Sequence, residues 1–238
     1  MRFVISMTAY RRPNYTGQVI AALAGCTGVG DWLLLPHVEP GHREVRSIFE
    51  SIDFCECSPT FNPQRLGLNR NTQAALQHAW AASADFLVHL EDDTVPADDF
   101  LEYAAWACDE FSGDASVFTV AGYNNVMRVD ASDHHTIGRR DWFTCWGWGT
   151  WRPVLKAMLA KWSFKNPQSF AWHLNKQIRG DRQEMHPVLS RIQNIGYEQG
   201  ENGRSAAWYR QHHRTPTFAG DFSLESAGWR LKDREVTA

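Results

Sequence analysis

Phe86-Leu-Val-His-Leu-Glu-Asp-Asp-Thr-Val-Pro96 decides how this 238-residue chain is read. An apolar run suited to a buried strand passes directly into three carboxylates, Glu91, Asp92 and Asp93, and then into a Thr-Val-Pro turn. Asp98 and Asp99 open the next helix, where carboxylates favour the positive end of the dipole. Three adjoining anions at a strand's carboxyl end repel one another unless a positive charge sits among them. A divalent cation meets that need, and hard cations such as Mn2+ or Mg2+ take oxygen ligands. In an open α/β sheet, that end of the strands is also where ligands bind. The stretch therefore predicts a metal and a phosphate-bearing molecule at the end of a sheet strand. A solvated turn with a helix cap is the alternative that the triplet alone leaves open.

Working outward, residues 1–121 alternate between strand and helix patterns. Strands are expected at Arg2–Met7, Trp32–Pro36, Phe54–Cys57, Asp85–Leu90 and Val117–Ala121. Helices are expected at Pro13–Ala24, His42–Ile52, Asn69–Ala82 and Asp98–Phe111. Such alternation predicts an α/β fold, a mostly parallel central sheet flanked by helices. Past Gly122 the rhythm breaks. Asn124 to Trp151 reads as an aromatic, glycine-bearing loop, helices return at Trp151–Trp162 and Ser169–Arg179, and Met185–Ile195 reads as extended. Residues 220–238 are polar and weakly patterned, and read as a C-terminal tail.

Composition narrows the class. Apolar content of 43% and charged content of 21% are those of a globular protein, and the length suffices for one substantial core. The net charge of −3 is unevenly spread. Residues 1–138 hold 8 Lys/Arg against 18 Asp/Glu, whereas residues 139–238 hold 16 against 9. A basic second half suits an anionic ligand, although basic residues spread over helix surfaces are commoner. The five cysteines are odd in number and irregular in spacing, which points to reduced thiols. No apolar run approaches the ~20 residues of a membrane span, and a strand begins at the amino end, so a cytoplasmic location is expected.

Five stretches in order carry a family likeness: Thr8-Ala-Tyr-Arg-Arg-Pro13, Leu66-Gly-Leu-Asn-Arg-Asn71, Glu91-Asp-Asp93, Asp141-Trp-Phe-Thr-Cys-Trp-Gly-Trp-Gly-Thr-Trp151, and Met185-His-Pro-Val-Leu-Ser-Arg-Ile-Gln-Asn-Ile-Gly196. Their order, over about residues 2–200, resembles GT-A fold glycosyltransferases of the N-acetylglucosaminyltransferase I type and their bacterial family 2-like relatives. The resemblance implies a single GT-A domain over 1–219, with a nucleotide-binding half at 1–121 and an acceptor-binding half at 122–219. It also implies a metal-dependent, inverting transfer from a nucleotide-sugar donor, with a UDP-sugar favoured. The acceptor expected from the resemblance is a hydroxyl on a glycan, lipid, protein or modified nucleic acid.

The resemblance also assigns residues. Asp93 would touch the metal, while Asp92 and Glu91 would hold ribose or donor sugar. Thr8 and Arg11 sit where relatives hold base and phosphates, an arginine fork being suited to phosphate oxygens. Glu39 stands near an Asp of the relatives that binds the base. Arg70 and Asn71 open a helix whose N–H groups favour anions. Trp146, Gly147 and Trp148 would line the sugar and acceptor pocket, or else plug the core beneath it. A C-terminal histidine, His213 of the His212–His213 pair, would complete the metal shell.

The departure from the family lies at the general base. Relatives carry an Asp after a Trp in the helix before the last motif. Here that helix reads Ser169-Phe-Ala-Trp-His-Leu-Asn175, which puts Ala171 or His173 at the position. His173 is the candidate base, since an imidazole can take a proton near neutral pH, and Asp181 and Glu184 are nearby substitutes. Three rivals stay open: a donor-binding protein of the same fold that has lost its base, a metal-dependent phosphoryl-transfer enzyme or nuclease, and a transferase acting on hydroxylated bases of viral DNA.

Overall fold

The computed structural model describes residues 1–125, 129–165 and 170–196, and the backbone of 230–231. Along the chain the strands are β1 (Phe3–Ala9), β2 (Trp32–Val38), β3 (Thr60–Phe61), β4 (Phe86–Glu91), β5 (Thr94–Pro96), β6 (Val117–Ala121), β7 (Thr136–Arg140), β8 (Trp148–Trp151), β9 (Gln183–Pro187), β10 (Ile192–Asn194) and β11 (Arg230–Leu231). The helices are α1 (Pro13–Ala24), α2 (Arg43–Glu50), α3 (Leu68–Ala81), α4 (Phe100–Glu110), α5 (Arg152–Ala160) and α6 (Phe170–His173), the last continuing as a π-helical turn over Leu174–Ile178.

β1 and β4 are parallel neighbours at the centre of the main sheet, with Thr8 level with Glu91. The order is β11-β7-β9-β6-β8-β4-β1-β2-β3. β1, β2, β3 and β4 are parallel, as are β6 and β9, while β8 runs antiparallel between β4 and β6. β7 is antiparallel to β9. The carboxyl ends of β1, β4, β6 and β9 therefore share one edge. β5 and β10 form a small antiparallel pair over that edge.

The two-residue period of a strand sorts the core. Along β1, Ile5 and Met7 face a layer built from α1, α2 and α4, with Val19, Leu23, Phe49 and Leu101. Val4 faces the other layer, where Leu76 of α3, Leu155 of α5 and Leu174 beyond α6 pack. α1 starts with Pro13 in its first turn, where the missing N–H costs nothing, and stops at Gly25.

The alternating pattern of the first half is realised, with three differences in the elements. The stretch expected as a strand at Phe54–Cys57 meets β2 only through a bridge at Cys57, and the true edge strand is Thr60–Phe61. Asn124 to Trp151 contains two sheet strands, β7 and β8, because Trp148 is fully buried and fills a slot between His89 and Phe143. Within the expected tail, Arg230–Leu231 pairs in parallel with β7. The five cysteines are free thiols, and Cys55 and Cys57 pack against the same core layer. Among the described residues no helix is long and apolar enough to cross a membrane.

Candidate active site

β4 delivers Glu91, Asp92 and Asp93 to the shared edge. Thr94 secures the turn: its hydroxyl accepts from Glu91 N and donates to Glu91 O, both at 2.8 Å. The next strand, β1, ends alongside. The backbone N–H of Tyr10 donates to Asp92 Oδ2 at 3.0 Å. Arg12 then turns back over the acidic residues. Its Nη1 donates to Asp93 Oδ2 at 2.7 Å and its Nη2 to Asp92 Oδ1. Arg12 is the cap residue of α1 and its carbonyl accepts from Thr16 N and Thr16 Oγ1, both at 2.9 Å. Its backbone is thereby fixed, and its side chain is mostly shielded from solvent.

The far wall comes from β10. Ile195 N donates to Asp93 O at 2.8 Å, and Gly196 N donates to Asn194 Oδ1 at 3.0 Å. A Cβ on Gly196 would collide with Asp93 Oδ2 and lie 3.1 Å from Arg12 Nη1. Glycine is needed for this close approach. Ile192 fills the space beside Gly147 and Gly122, where a Cβ on either glycine would overlap its side chain.

The electrostatics follow from burial. Asp92 and Asp93 are buried and Glu91 is half-buried. Burial pushes the Asp93 carboxyl up to about 6, with Arg12 opposing the rise. Burial, and then the neighbouring Asp93, pushes Glu91 up to about 8. Burial disfavours the charge on Arg12, but Asp93 and Asp92 outweigh it and raise its pKa. Three carboxylates here face one guanidinium. Asp93 Oδ1 is buried and has no hydrogen-bond partner among the described residues.

That orphaned oxygen bears on the metal. Among the described residues, no three His, Cys, Asp or Glu side chains converge as a ligand set. Mg2+ and similar ions, however, are commonly held by one or two carboxylates together with substrate phosphates and water. Asp93 Oδ1, with Glu91 beside it, fits that mode.

The remaining sequence candidates divide. Thr8 is buried at the end of β1, level with Glu91. Arg11 is exposed, its guanidinium 5.6 Å from the Tyr10 ring centre, so Arg12 and not Arg11 reaches the carboxylates. Glu39 is buried and accepts from Leu66 N, Gly67 N and Asn62 Nδ2. Asn71 donates to His37 O and accepts from Asn62. Both are engaged in shaping the entry to α3. Arg70 is exposed over the Phe164 ring. His213 lies outside the described residues.

Four expectations need correction. Trp148 lines no pocket, because it is fully buried in the core layer under α5. Gly147 makes room for Ile192, not for a sugar. Asp181 precedes β9, which runs parallel to β6, so it lies at the edge opposite Asp93. Glu184 is wholly buried in mid-sheet, held by Arg140 Nε at 2.9 Å, Thr119 Oγ1 at 2.7 Å and Thr144 N. Trp146 is half-buried, edge-on to Tyr123 at 4.8 Å between ring centres. His173 is half-buried, and its Nε2 donates to Lys161 O at 2.8 Å. Lys161 adjoins Trp162, whose indole donates to Asn69 at the start of α3. β3 feeds α3 at the carboxyl edge, so His173 sits toward that edge on the α3 side.

Sequence reading missed Arg12 and Gly196. The signal for Arg12 was Pro13: a residue before proline is held out of the helical region, and Arg12 has φ −117° and ψ 68°, which aims it back over β4 instead of along the helix.

Comparisons with known proteins fit this geometry. The profile of the GNT-I family matches residues 67–217, more than half of the chain. The alpha-1,3-mannosyl-glycoprotein 2-beta-N-acetylglucosaminyltransferase of Arabidopsis thaliana is 25% identical over 169 residues, which are 67% of this chain and 36% of that protein. The chain thus spans about a third of that relative's length. The crystal structure of S. aureus TarS 1–349 superposes with a TM-score of 0.62 at 12% identity, covering 81% of this chain and 60% of TarS. The shared architecture is the GT-A fold, as the sequence resemblance implies.

Proposed function

This chain belongs to the GNT-I family, and from that premise we propose that it is a metal-dependent, inverting glycosyltransferase. It moves a sugar, an N-acetylhexosamine being favoured by the name of the plant relative, from a nucleoside-diphosphate donor to an acceptor hydroxyl. The observation that carries the reading is the cluster of half-buried Glu91 with buried Asp92 and Asp93 at the ligand edge of the sheet, where Asp93 Oδ1 has no hydrogen-bond partner among the described residues. Three carboxylates against one guanidinium can take a further cation when an anionic diphosphate accompanies it.

The chemistry that Mn2+ or Mg2+ supplies when bound is neutralisation of the departing diphosphate. Asp93 Oδ1 and Glu91 are the groups that would hold it. Thr8 and the end of β1 flank the donor, and Arg12 lies within the same site for its phosphates. His173 is the base of this reading. Because a carbonyl oxygen only accepts, the contact with Lys161 O fixes the proton on Nε2 and leaves the Nδ1 lone pair to take one from the acceptor hydroxyl.

The test is a thermal-shift screen of UDP- and GDP-sugars with and without Mn2+, followed by an assay of nucleotide release. A ligand that binds only the native state raises its melting temperature by mass action. One donor should stabilise the protein only with metal, and Asp93→Asn should abolish the shift. No shift with any donor would sink the reading, whereas a shift without turnover on any acceptor or water would leave a donor-binding protein.

A further inference from the structure

The carboxylates already have a cation of their own. Arg12 spreads its two terminal nitrogens over Asp93 Oδ2 and Asp92 Oδ1, while Asp93 Oδ1 has no partner among the described residues. A divalent ion at Oδ1 would therefore share one carboxylate with a guanidinium. Two positive charges a carboxylate's width apart, in a buried site, repel strongly. The Arg12 backbone is fixed by Thr16, and Gly196 lies against Asp93 Oδ2 and Arg12 Nη1. Arg12 can exchange partners, since a guanidinium fork takes phosphate oxygens as readily as carboxylates.

We propose that Arg12 is a positioning residue that makes metal binding at Asp93 conditional on the nucleoside diphosphate. With the site free of ligand, Arg12 bridges Asp92 and Asp93 and disfavours a divalent ion. When the diphosphate arrives, the guanidinium donates to its oxygens, and both cations share a site with enough negative charge for each. Metal and nucleotide then strengthen each other's binding by the same factor, as linkage requires. The inference rests on the donor-site reading above and adds its order of loading.

The test is a Mn2+ titration followed by electron paramagnetic resonance, with and without saturating UDP, on the wild type, Arg12→Gln and Arg12→Lys. The wild type should bind Mn2+ weakly alone and about tenfold or more tighter with UDP, a coupling of ordinary size. Arg12→Gln should bind Mn2+ alone about tenfold more tightly than the wild type and lose most of the coupling. Arg12→Lys, a single point charge that reaches one carboxylate and not both, should fall between them. It carries the comparison if circular dichroism finds Arg12→Gln unfolded. Equal affinities for Mn2+ alone in the wild type and the folded variants, with UDP still promoting Mn2+ binding, would overturn the role of Arg12 and leave the donor site standing. Absence of Mn2+ binding to all three proteins, even with UDP, would overturn the donor-site reading as well.

Discussion

Arg191 holds Asp99 through Nε, which donates to both carboxylate oxygens at 3.0 and 2.8 Å, and both side chains are buried. The same guanidinium donates to Leu189 O and His134 O. Asp99 stands at the N-cap position of α4 with its carboxylate turned to Arg191, and Arg191 precedes β10, so this pair anchors the strand that closes over Asp93. Removing one partner of a buried ion pair strands the other charge. Asp99→Asn is expected to cost about 3–5 kcal/mol in urea unfolding. Asp99→Leu combined with Arg191→Met should cost less than either single change. A double variant as unstable as the sum of the singles would contradict this account.

Gly147 and Ile192 are coupled by contact. Gly147 has φ +59°, and any Cβ there overlaps Ile192. Gly147→Ala is expected to destabilise by about 2–4 kcal/mol, from overpacking and left-handed backbone strain together. Adding Ile192→Ala should relieve the overpacking part, so the pair is less damaging than the summed singles. Strict additivity in denaturant melts would show that the two do not touch.

Gly196→Ala aims at the site. The new methyl displaces Asp93, and overpacking of this kind is worth about 1–3 kcal/mol, which, expressed in binding, is about 5- to 140-fold in affinity. Isothermal titration with UDP in the presence of Mn2+ should show that loss. Unchanged affinity would place Gly196 away from Asp93.

His173→Ala separates binding from chemistry. Loss of a general base lowers kcat by about 10²–10⁴-fold, while donor affinity should hold. A variant with full kcat would send the search for the base to the segment beyond residue 196.

His89 supplies a pH signature. It is fully buried, with Nδ1 3.1 Å from Ser6 Oγ, and burial pushes its pKa down to about 3. Between that value and its ordinary value near 6.5, the unfolded chain binds more protons than the folded one, so this contribution to stability rises with pH and levels off above about 6.5. It is lost as the solution is acidified toward pH 3. Glu91 and Asp93 are shifted upward, and their contribution runs the other way. The stability difference between the wild type and His89→Gln isolates the histidine. That difference should grow from about pH 3 to 6.5; a flat difference would mean that His89 is solvated.

The parallel core was legible because its signals are local. Val4 and Ile5 alternate, Pro13 opens a helix, and Leu90 passes into Glu91. β8 was not legible, because Trp148-Gly-Thr-Trp151 carries the glycine and aromatic content of a loop, and only the slot beside His89 makes it a strand. The site was half legible. The acidic cluster announced itself by charge, but two adjacent arginines look alike in sequence, and the choice between them is made by the backbone angles before Pro13. Gly196 was hidden for a related reason, since its role depends on a strand that approaches Asp93 from about a hundred residues away.

The antiparallel insertion of β8 between β4 and β6 has a practical consequence. Residues from the second half of the chain complete the hydrogen bonding of the first, so the portion ending at Ala121 is no portable module. Anyone building hybrids with a different acceptor region must carry Trp148–Trp151 along with the donor portion, or leave two raw strand edges open to aggregation.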